Sequence, residues 1–291
     1  MEQGAMMKEA LKEVVWLGGT GKETLKDSVA GTLGVRVQAV FGGQPDVLVT
    51  DVESEAALRA LLLGEDGLLN VERSGMLLLE MSHIGEALSR EIAAAASRAN
   101  VSYLRAPLTF GPKAGPKAGP TVGPAAAETS VCTAMVSGPR NVFDDAQALL
   151  GAIATHTVWL GDEEQARAMT RVLDVMTGVS MAMWAEALVF GEAVGLDWQA
   201  MLDVMATSAI GSPVIQAHSM PLAAREFSSP EACEQMAARL GDALAHGKTT
   251  GTVLTLTGLA HQMYLGAVRH GYGNTGITAV VPWLEATAGV R

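Results

Sequence analysis

Cysteine is scarce in this sequence: only Cys132 and Cys233 are present, and neither has the spacing of a metal ligand. Two cysteines are too few for a disulfide framework in a chain of 291 residues, which argues against a small disulfide-rich secreted domain. We expect both to be small buried side chains. The six histidines never fall in a spacing such as H-E-x-x-H, so we also expect no metal site.

Clusters of basic residues and long apolar runs are also missing. The formal net charge is −11, and a nucleic-acid backbone is bound by grouped lysine and arginine side chains, so we expect no nucleic-acid partner. No uncharged apolar run reaches about 18 residues, and no signal peptide heads the chain. We therefore expect a soluble, cytoplasmic protein that has no membrane partner.

Short apolar runs alternate with helical patterns in the first half of the chain. The runs are rich in branched residues and bounded by glycine or proline, which is typical of buried strands. They are EVVWLG (13–18), VRVQAV (35–40), DVLVTDV (46–52), MLLLEMS (76–82) and VSYLRAP (101–107). Because helical stretches separate them, the pattern predicts a mostly parallel sheet with helices on its faces.

Strand patterns stop near residue 160. The periodic stretch EEQARAMTRVLDVMTGVSMAMWAEALVFGEAVGL (163–196) predicts a long helix, and further helical segments follow it. We therefore predict an α/β domain over residues 1–160 and an all-helical domain over 161–291. The segment GPKAGPKAGPTVGPAAAETS (111–130) has too much proline and glycine for a helix or a central strand, so we predict a loop there. An inert surface loop and a lid over a site both remain open.

A phosphate-binding turn is not evident. A nucleotide-binding α/β domain normally begins with a strand that ends in G-x-G-x-x-G, whereas no strand precedes Gly4. The later GGTG (18–21) lacks the required spacing, and we interpret it as a plain turn.

Two stretches carry most of a resemblance to a known family: EMSHIGEALSREIAAAASRANVSYLRAPLTFGP (80–112) and GVSMAMWAEALVFGEAVGLD (178–197). The chain resembles the β-hydroxyacid dehydrogenase family, the group of 3-hydroxyisobutyrate dehydrogenase, to which imine reductases are related. The resemblance implies a nicotinamide-binding Rossmann domain, followed by a helical domain that interlocks with a second copy in a homodimer.

The start of the chain departs from the family pattern. Gly4 falls where the third glycine of the phosphate turn belongs, and EVVWLGG takes the place of the second strand, so we expect a truncated Rossmann-like domain without its first strand. At the end of that second strand, Leu17, Gly18 and Gly19 offer no carboxylate for a ribose and no arginine for a 2′-phosphate. We therefore expect no cofactor, with NADPH as the alternative.

The family's catalytic positions have also changed. Its catalytic lysine corresponds to Thr170, although a shift of one residue would bring Arg171 there, and its asparagine four residues later corresponds to Asp174. A later lysine–aspartate pair corresponds to Ala238 and Arg239. Because these positions changed together, the resemblance implies an activity other than hydride transfer.

Several residues are expected to shape a substrate pocket. In the family's substrate loop, Thr109 keeps a hydroxyl, whereas Phe110 occupies space that a glycine leaves open and would narrow the pocket. Ser212 lies in a segment that helps to line the family's cleft, but no G-x-S-x-G elbow surrounds it, so a serine hydrolase is not indicated. Trp184 and Tyr264 are expected either as an apolar pocket wall or as ordinary core.

Asp174 is our first candidate for acid–base catalysis. Its helical neighbours are mostly apolar, and a buried carboxylate there would have a raised pKa. The alternative is a surface aspartate paired with Arg171. His246 is a second candidate, because helical spacing places it on one face with Arg239 and Asp242, although such a face is often simply solvated.

His83 is a third candidate, because it follows a strand's carboxyl end, where the family has a small hydroxyl residue; a structural loop histidine is the alternative. Together these expectations favour a cofactor-independent, non-redox enzyme on a dehydrogenase fold, a cyclase, isomerase or lyase that uses acid–base catalysis on a small organic substrate. The alternatives are an NADPH-dependent oxidoreductase of the imine or β-hydroxyacid reductase type, and an inactive dimeric binding protein.

Overall fold

A computed structural model describes residues 12–18, 23–39, 45–52, 54–112, 130–208, 211, 218, 220–229 and 231–291. The chain divides into two compact units, and the division in the second half falls between Thr170 and Arg171. The long helix Gln165–Ala193 therefore contributes residues to both units.

The first unit is built on one mixed sheet. Its strands are β1 Glu13–Gly18, β2 Arg36–Gln38, β3 Val47–Asp51, β4 Leu77–Glu80, β5 Ser102–Arg105, β6 Leu108–Pro112, β7 Ser130–Ser137 and β8 His156–Gly161. The strand order is β2-β1-β3-β4-β5-β7-β6, with β8 beside β7. The first five strands are parallel, whereas β7 runs antiparallel to β5 and β6.

Helices cover both faces of this sheet. They are α1 Glu23–Leu33, α2 Glu55–Leu63, α3 Glu86–Arg98, α4 Arg140–Asp145 and α5 Gln147–Ile153. Side chains alternate across each strand, so Val14 and Trp16 join a core with α1 and α5, whereas Val15 joins a second core with α2 and α3. The result is a three-layer α/β/α unit.

The second unit is helical in its described part. Its elements are α6 Gln165–Ala193, α7 Trp198–Thr207, α8 Cys233–Thr250, α9 Thr255–Ala267, a π-helical turn Val268–Tyr272, a 3₁₀ turn Ile277–Ala279 and α10 Val280–Ala288. The core of this unit includes Trp184, Leu240 and Tyr264. By length and composition α6 is the one described helix that could cross a membrane, but core helices of soluble proteins pass the same test.

The predicted fold class is confirmed as a Rossmann-like α/β sheet followed by a helical domain, and all five predicted strands are present. The absence of the family's first strand stays a prediction. The loop predicted at 111–130 needs correction at its ends, because Gly111 and Pro112 belong to β6 and Ser130 belongs to β7. These strands pair in an antiparallel ladder in which Leu108 faces Ala134, and that pairing overrides the local glycine and proline signal. Residues 113–129 of the predicted loop lie outside the described residues, as does Gly4.

Candidate functional site

The carboxyl ends of β1 and β3 meet where the sheet reverses its direction of growth. From β1 the chain adds β2 on one side and β3 on the other, and such a switch point is where open α/β sheets bind ligands. Gly18 and Asp51 are neighbours there. Gly18 has φ +88°, and a Cβ on it would lie 2.1 Å from the Asp51 carbonyl oxygen, so only glycine fits.

Asp51 is the residue that our sequence analysis missed at this edge. The sequence analysis considers only the end of β1 for a ribose-binding carboxylate, whereas the structure places a carboxylate beside it on the adjacent strand. Its side chain is half-buried. The missing information was the strand order, because Asp51 is distant from Gly18 in sequence.

A turn at the end of β4 lies beside this point and is held by hydrogen bonds from three sides. The Val52 N–H donates to Ser82 Oγ at 2.9 Å, and the Ser82 N–H donates to Glu80 Oε1 at 2.5 Å. Arg167 Nη1 donates to the Ser82 carbonyl oxygen at 2.8 Å. His83, the third predicted catalytic residue, follows this turn and is exposed.

Glu80 and Arg167 form an ion pair beneath that turn. Their side chains are 0% and 2% exposed, so both charges are almost fully removed from water. Burial lowers the pKa of Arg167 to about 9, which still leaves the guanidinium protonated at neutral pH. The pair therefore couples the first turn of α6 to the end of β4 within the first unit.

The second unit contains a separate charge cluster that joins α6 to α8. Arg171 Nε donates to Asp242 Oδ2 at 3.0 Å. Arg239 is ion-paired with Glu231 and lies 3.7 Å from Asp174, measured from Nη1 to Oδ1. The cluster thus contains four residues that we predicted for the site from the sequence, Arg171, Asp174, Arg239 and Asp242, together with Glu231, which we did not predict.

Asp174 has the properties expected of a proton-transfer group. Its side chain is only 14% exposed. Burial raises the pKa of Asp174 to about 6, while the charge of Arg239 opposes this rise and that of Glu231 adds to it. The predicted alternative, a surface pair with Arg171, does not describe this arrangement, because the Arg171 guanidinium is hydrogen-bonded to Asp242 instead.

The other predicted pocket residues are more dispersed. Thr109 and Phe110 lie on β6, where Phe110 is 50% exposed. Thr170 Oγ1 donates to the Ala166 carbonyl oxygen at 3.1 Å, so its hydroxyl hydrogen bond lies within its own helix.

Of the remaining predicted residues, Trp184 and Tyr264 lie in the core of the second unit. Trp184 is 2% exposed and Tyr264 is 0% exposed, so they are core residues with almost no surface for a substrate. Our expectation of Trp184 as a pocket wall is corrected on this ground. His246 is half-buried on α8, one turn after Asp242. Ser212 lies outside the described residues.

Comparisons with protein families match both parts of the chain. Residues 5–161 match the family described as the NAD binding domain of 6-phosphogluconate dehydrogenase. Residues 165–284 match the family described as NAD-binding of NADP-dependent 3-hydroxyisobutyrate dehydrogenase.

Individual relatives match at low identity over most of their length. The chain is 25% identical to 2-(hydroxymethyl)glutarate dehydrogenase of Eubacterium barkeri, over 92% of this chain and 87% of the relative. It is 24% identical to NAD-dependent L-serine dehydrogenase of Pseudomonas aeruginosa, over 98% and 89%. The crystal structure of 3-hydroxyisobutyrate dehydrogenase from Salmonella typhimurium has a TM-score of 0.78 and 22% identity, with 93% and 99% covered.

Our expectation that the protein uses no cofactor is wrong, because both matching families are NAD-binding families. The described strand ends place one carboxylate, Asp51, at the switch point, which is where a dinucleotide lies in this kind of sheet. The connections Val52–Ser54 and Met81–Gly85 contain no lysine or arginine. A phosphate at those connections would depend on backbone N–H groups.

The match to the 6-phosphogluconate dehydrogenase domain covers more than half of the chain, and the second match continues it through the helical unit. The parallel strand order with its switch point and the helical second unit agree with this assignment. The chain belongs to the β-hydroxyacid dehydrogenase family.

Proposed function

We propose that this protein is an NAD(P)-dependent oxidoreductase that interconverts a small 3-hydroxy acid and its aldehyde, with Asp174 as the acid–base group. The family matches support the oxidoreductase alternative and give no support to the cyclase, isomerase or lyase that the changed catalytic positions had suggested.

The raised pKa of Asp174 is the observation that carries this proposal. Oxidation of an alcohol removes a hydride from carbon and a proton from oxygen, and reduction returns both. A carboxyl group whose pKa is about 6 can accept or donate that proton near neutral pH. A bound nicotinamide would accept or supply the hydride. Asp174 would thus replace the lysine expected from the family pattern.

The substrate class is suggested by the relatives and by the charge cluster. The names of two relatives, 2-(hydroxymethyl)glutarate dehydrogenase and L-serine dehydrogenase, describe substrates in which a hydroxymethyl group and a carboxylate share one carbon. Arg171 and Arg239 belong to the same cluster as Asp174. Arginine pairs well with carboxylates, so these two residues are our candidates for substrate binding.

We also infer that the cofactor is NAD rather than NADP. The Asp51 carboxylate would repel a 2′-phosphate, while it can accept hydrogen bonds from ribose hydroxyls. Titration with NADH and NADPH tests this inference: NADH is expected to bind more tightly, and Asp51→Asn is expected to reduce the difference. Equal affinities in the original protein would contradict it.

A homodimer remains our proposal for the assembled state. On α6, apolar side chains at helical spacing are exposed to solvent, among them Met176 at 60% and Phe190 at 70%. An exposed apolar stripe on a helix is typical of an interaction surface. Light scattering is expected to give twice the chain mass, and Phe190→Glu is expected to lower it.

Asp174→Asn tests the catalytic proposal. NADH affinity is expected to stay within about twofold, whereas turnover of a 3-hydroxy acid is expected to fall by roughly 100-fold or more. In the original protein, the reduction rate should fall as the pH rises through about 6, and the oxidation rate should rise. NADH binding with unchanged turnover in the variant would reject Asp174 while retaining the oxidoreductase. No NADH binding would reject both.

A further inference from the structure

Both arginines of the charge cluster in the second unit are already paired with carboxylates. Arg171 pairs with Asp242, and Arg239 pairs with Glu231. Asp174 adds a further carboxyl group, 3.7 Å from Arg239. Among these five residues the carboxyl groups therefore outnumber the guanidinium groups. A carboxylate from a substrate can pair closely with one of these arginines only where it displaces the present partner.

Arg239 is the arginine that would hold a substrate carboxylate beside Asp174. In the substrates proposed above, the hydroxymethyl group and the carboxylate share one carbon, so their oxygen atoms lie close together. The Asp174 carboxyl group, which would exchange a proton with the hydroxyl oxygen, lies close to Arg239 as well. A carboxylate that takes the place of Glu231 on Arg239 would thus bring the hydroxyl group towards Asp174.

The main chain of Glu231 is fixed, whereas its side chain has a single partner among the described residues. The Ser229 hydroxyl and the Ile277 N–H both donate to the Glu231 carbonyl oxygen, each at 2.9 Å. The Glu231 carboxylate accepts a hydrogen bond from Arg239 Nη1, and it makes no other ion pair with the described residues. Rotation about the side-chain bonds is therefore enough to release Arg239, without movement of the main chain.

The Glu231–Arg239 pair is also accessible to water. The side chain of Glu231 is 32% exposed and that of Arg239 is 25% exposed. A released carboxylate can be hydrated there, and a partly exposed ion pair contributes little to stability, so its displacement costs little. The Glu80–Arg167 pair of the first unit could not exchange partners at a comparable cost, because both of its charges are almost fully buried.

We propose that Glu231 occupies the position of the substrate carboxylate on Arg239 in the free protein, and that a substrate carboxylate displaces it. Glu231 acts through Arg239, so it is a positioning residue that sets the affinity for the substrate. An uncharged molecule cannot replace it on the guanidinium, and the exchange therefore selects for carboxylates. This inference rests on the proposed function for the class of substrate, and it adds a residue to which that proposal gives no role.

The test is a calorimetric titration of the full-length protein with propionate, which has the carboxylate of the proposed substrates but no hydroxyl group to oxidise. Propionamide is the matched neutral probe. Glu231→Gln removes the competing charge and is expected to tighten propionate binding about fivefold. Propionamide is expected to bind no more tightly in this variant. Glu234→Gln, at an exposed carboxylate in the first turn of α8, is the control and is expected to have no effect.

Arg239→Gln tests the same exchange with Glu231 in place, so it keeps the test decisive if Glu231→Gln is poorly folded. It is expected to weaken propionate binding about tenfold, in line with loss of a charged hydrogen bond. In the double variant Glu231→Gln/Arg239→Gln, propionate should bind no more tightly than in Arg239→Gln alone. A gain in the double variant would show that Glu231 does not act through Arg239, and would overturn the proposal.

Kinetics provide a readout that a purely structural role of Glu231 would not change. In Glu231→Gln at pH 7.5, the KM for 3-hydroxypropionate is expected to fall about fivefold, while kcat for oxidation changes less than about twofold. The charge of Glu231 raises the pKa of Asp174. In the variant, the pH at which kcat/KM for reduction falls should therefore decrease.

Three results of the titrations would overturn the proposal: unchanged propionate affinity in Glu231→Gln, an equal gain in Glu234→Gln, or an equal gain for propionamide. Propionate binding is measured without turnover, so it separates this inference from the proposed function. The expected binding pattern in a protein that oxidises no 3-hydroxy acid would reject the proposed function and retain the exchange at Arg239.

Discussion

Two of the buried carboxylate–arginine arrangements in the described part of the chain differ in how closely their charges approach. In the first unit, Glu80 and Arg167 are in direct contact and almost fully buried. In the second unit, Asp174 is also largely buried, but Arg239 lies 3.7 Å from it and is shared with Glu231.

This difference explains why one arrangement is structural and the other is suited to chemistry. The Glu80–Arg167 pair is supported by hydrogen bonds to the Ser82 backbone, so its charges are locked in place. At Asp174, the effect of burial outweighs the opposing charges of Arg239 and Arg171, and its pKa therefore rises to about 6. A buried carboxylate thus needs close pairing to offset the cost of removing its charge from water.

Breaking the buried pair is expected to have the largest effect. Arg167→Met leaves the Glu80 carboxylate buried without its cation, which should lower the free energy of unfolding by about 3–5 kcal/mol. Urea denaturation at pH 7.5 measures this change. The double variant Glu80→Leu/Arg167→Met removes both charges and should recover most of the loss. A double variant that is as unstable as the single one would show that packing, and not the unpaired charge, is responsible.

Removing the Asp174 charge is expected to stabilise the protein at neutral pH. The folded pKa of about 6 lies above the ordinary value of 3.8, so the native state binds this proton more tightly than the unfolded state. Stability from this group is present below about pH 4 and is lost as the pH rises through 6. Asp174→Asn should therefore gain up to about 3 kcal/mol relative to the original protein between pH 4 and pH 7.5.

The control for this measurement is Asp203→Asn, an exposed aspartate on α7. Because this carboxylate is exposed, its removal is expected to change the free energy of unfolding by less than about 0.5 kcal/mol. If the unfolding free energy of Asp174→Asn depends on pH in the same way as that of the original protein, Asp174 does not have a raised pKa.

Much of the fold could be read from local sequence patterns. The first five strands and α6 follow from apolar periodicity, because burial on two faces or along one helical stripe leaves a direct mark on the sequence. We assigned no strands to β6, β7 and β8. The β6–β7 ladder pairs Gly111 with Val131. The local composition on the β6 side is typical of a loop, so this pairing could not be predicted from it.

The candidate site was less accessible to sequence reasoning. The raised pKa of Asp174 could be anticipated from its apolar helical neighbours. The surroundings of Asp51 and Glu80 could not be anticipated, because the sheet order brings Gly18 beside Asp51 and the start of α6 brings Arg167 to Glu80. Long-range charge pairs leave no periodic signal in a single sequence.

Removing Arg239 should make the charge cluster around Asp174 differ even more from the Glu80–Arg167 pair. Arg239→Gln removes a positive charge that lowers the pKa of Asp174, and this pKa should then rise above 6. The pH at which the reduction rate falls should therefore increase. The free energy of unfolding should change less than in Arg167→Met, because Arg239 is 25% exposed. If the pH profile of the reduction rate is unchanged in this variant, Asp174 is not the group whose ionisation controls the rate.

The smallest change in stability is expected at Asp242, an exposed member of the Asp174 cluster. Asp242 is 62% exposed and pairs with Arg171, so Asp242→Asn should change the free energy of unfolding by only about 0–1 kcal/mol. The charge of Asp242 also raises the pKa of Asp174. Its removal should therefore shift the pH profile of the reduction rate slightly to lower pH, whereas Arg239→Gln should shift it to higher pH. Because this effect acts through solvent, about 1 M salt should abolish it. Opposite shifts in the two variants would show that Asp174 responds to the balance of charges around it.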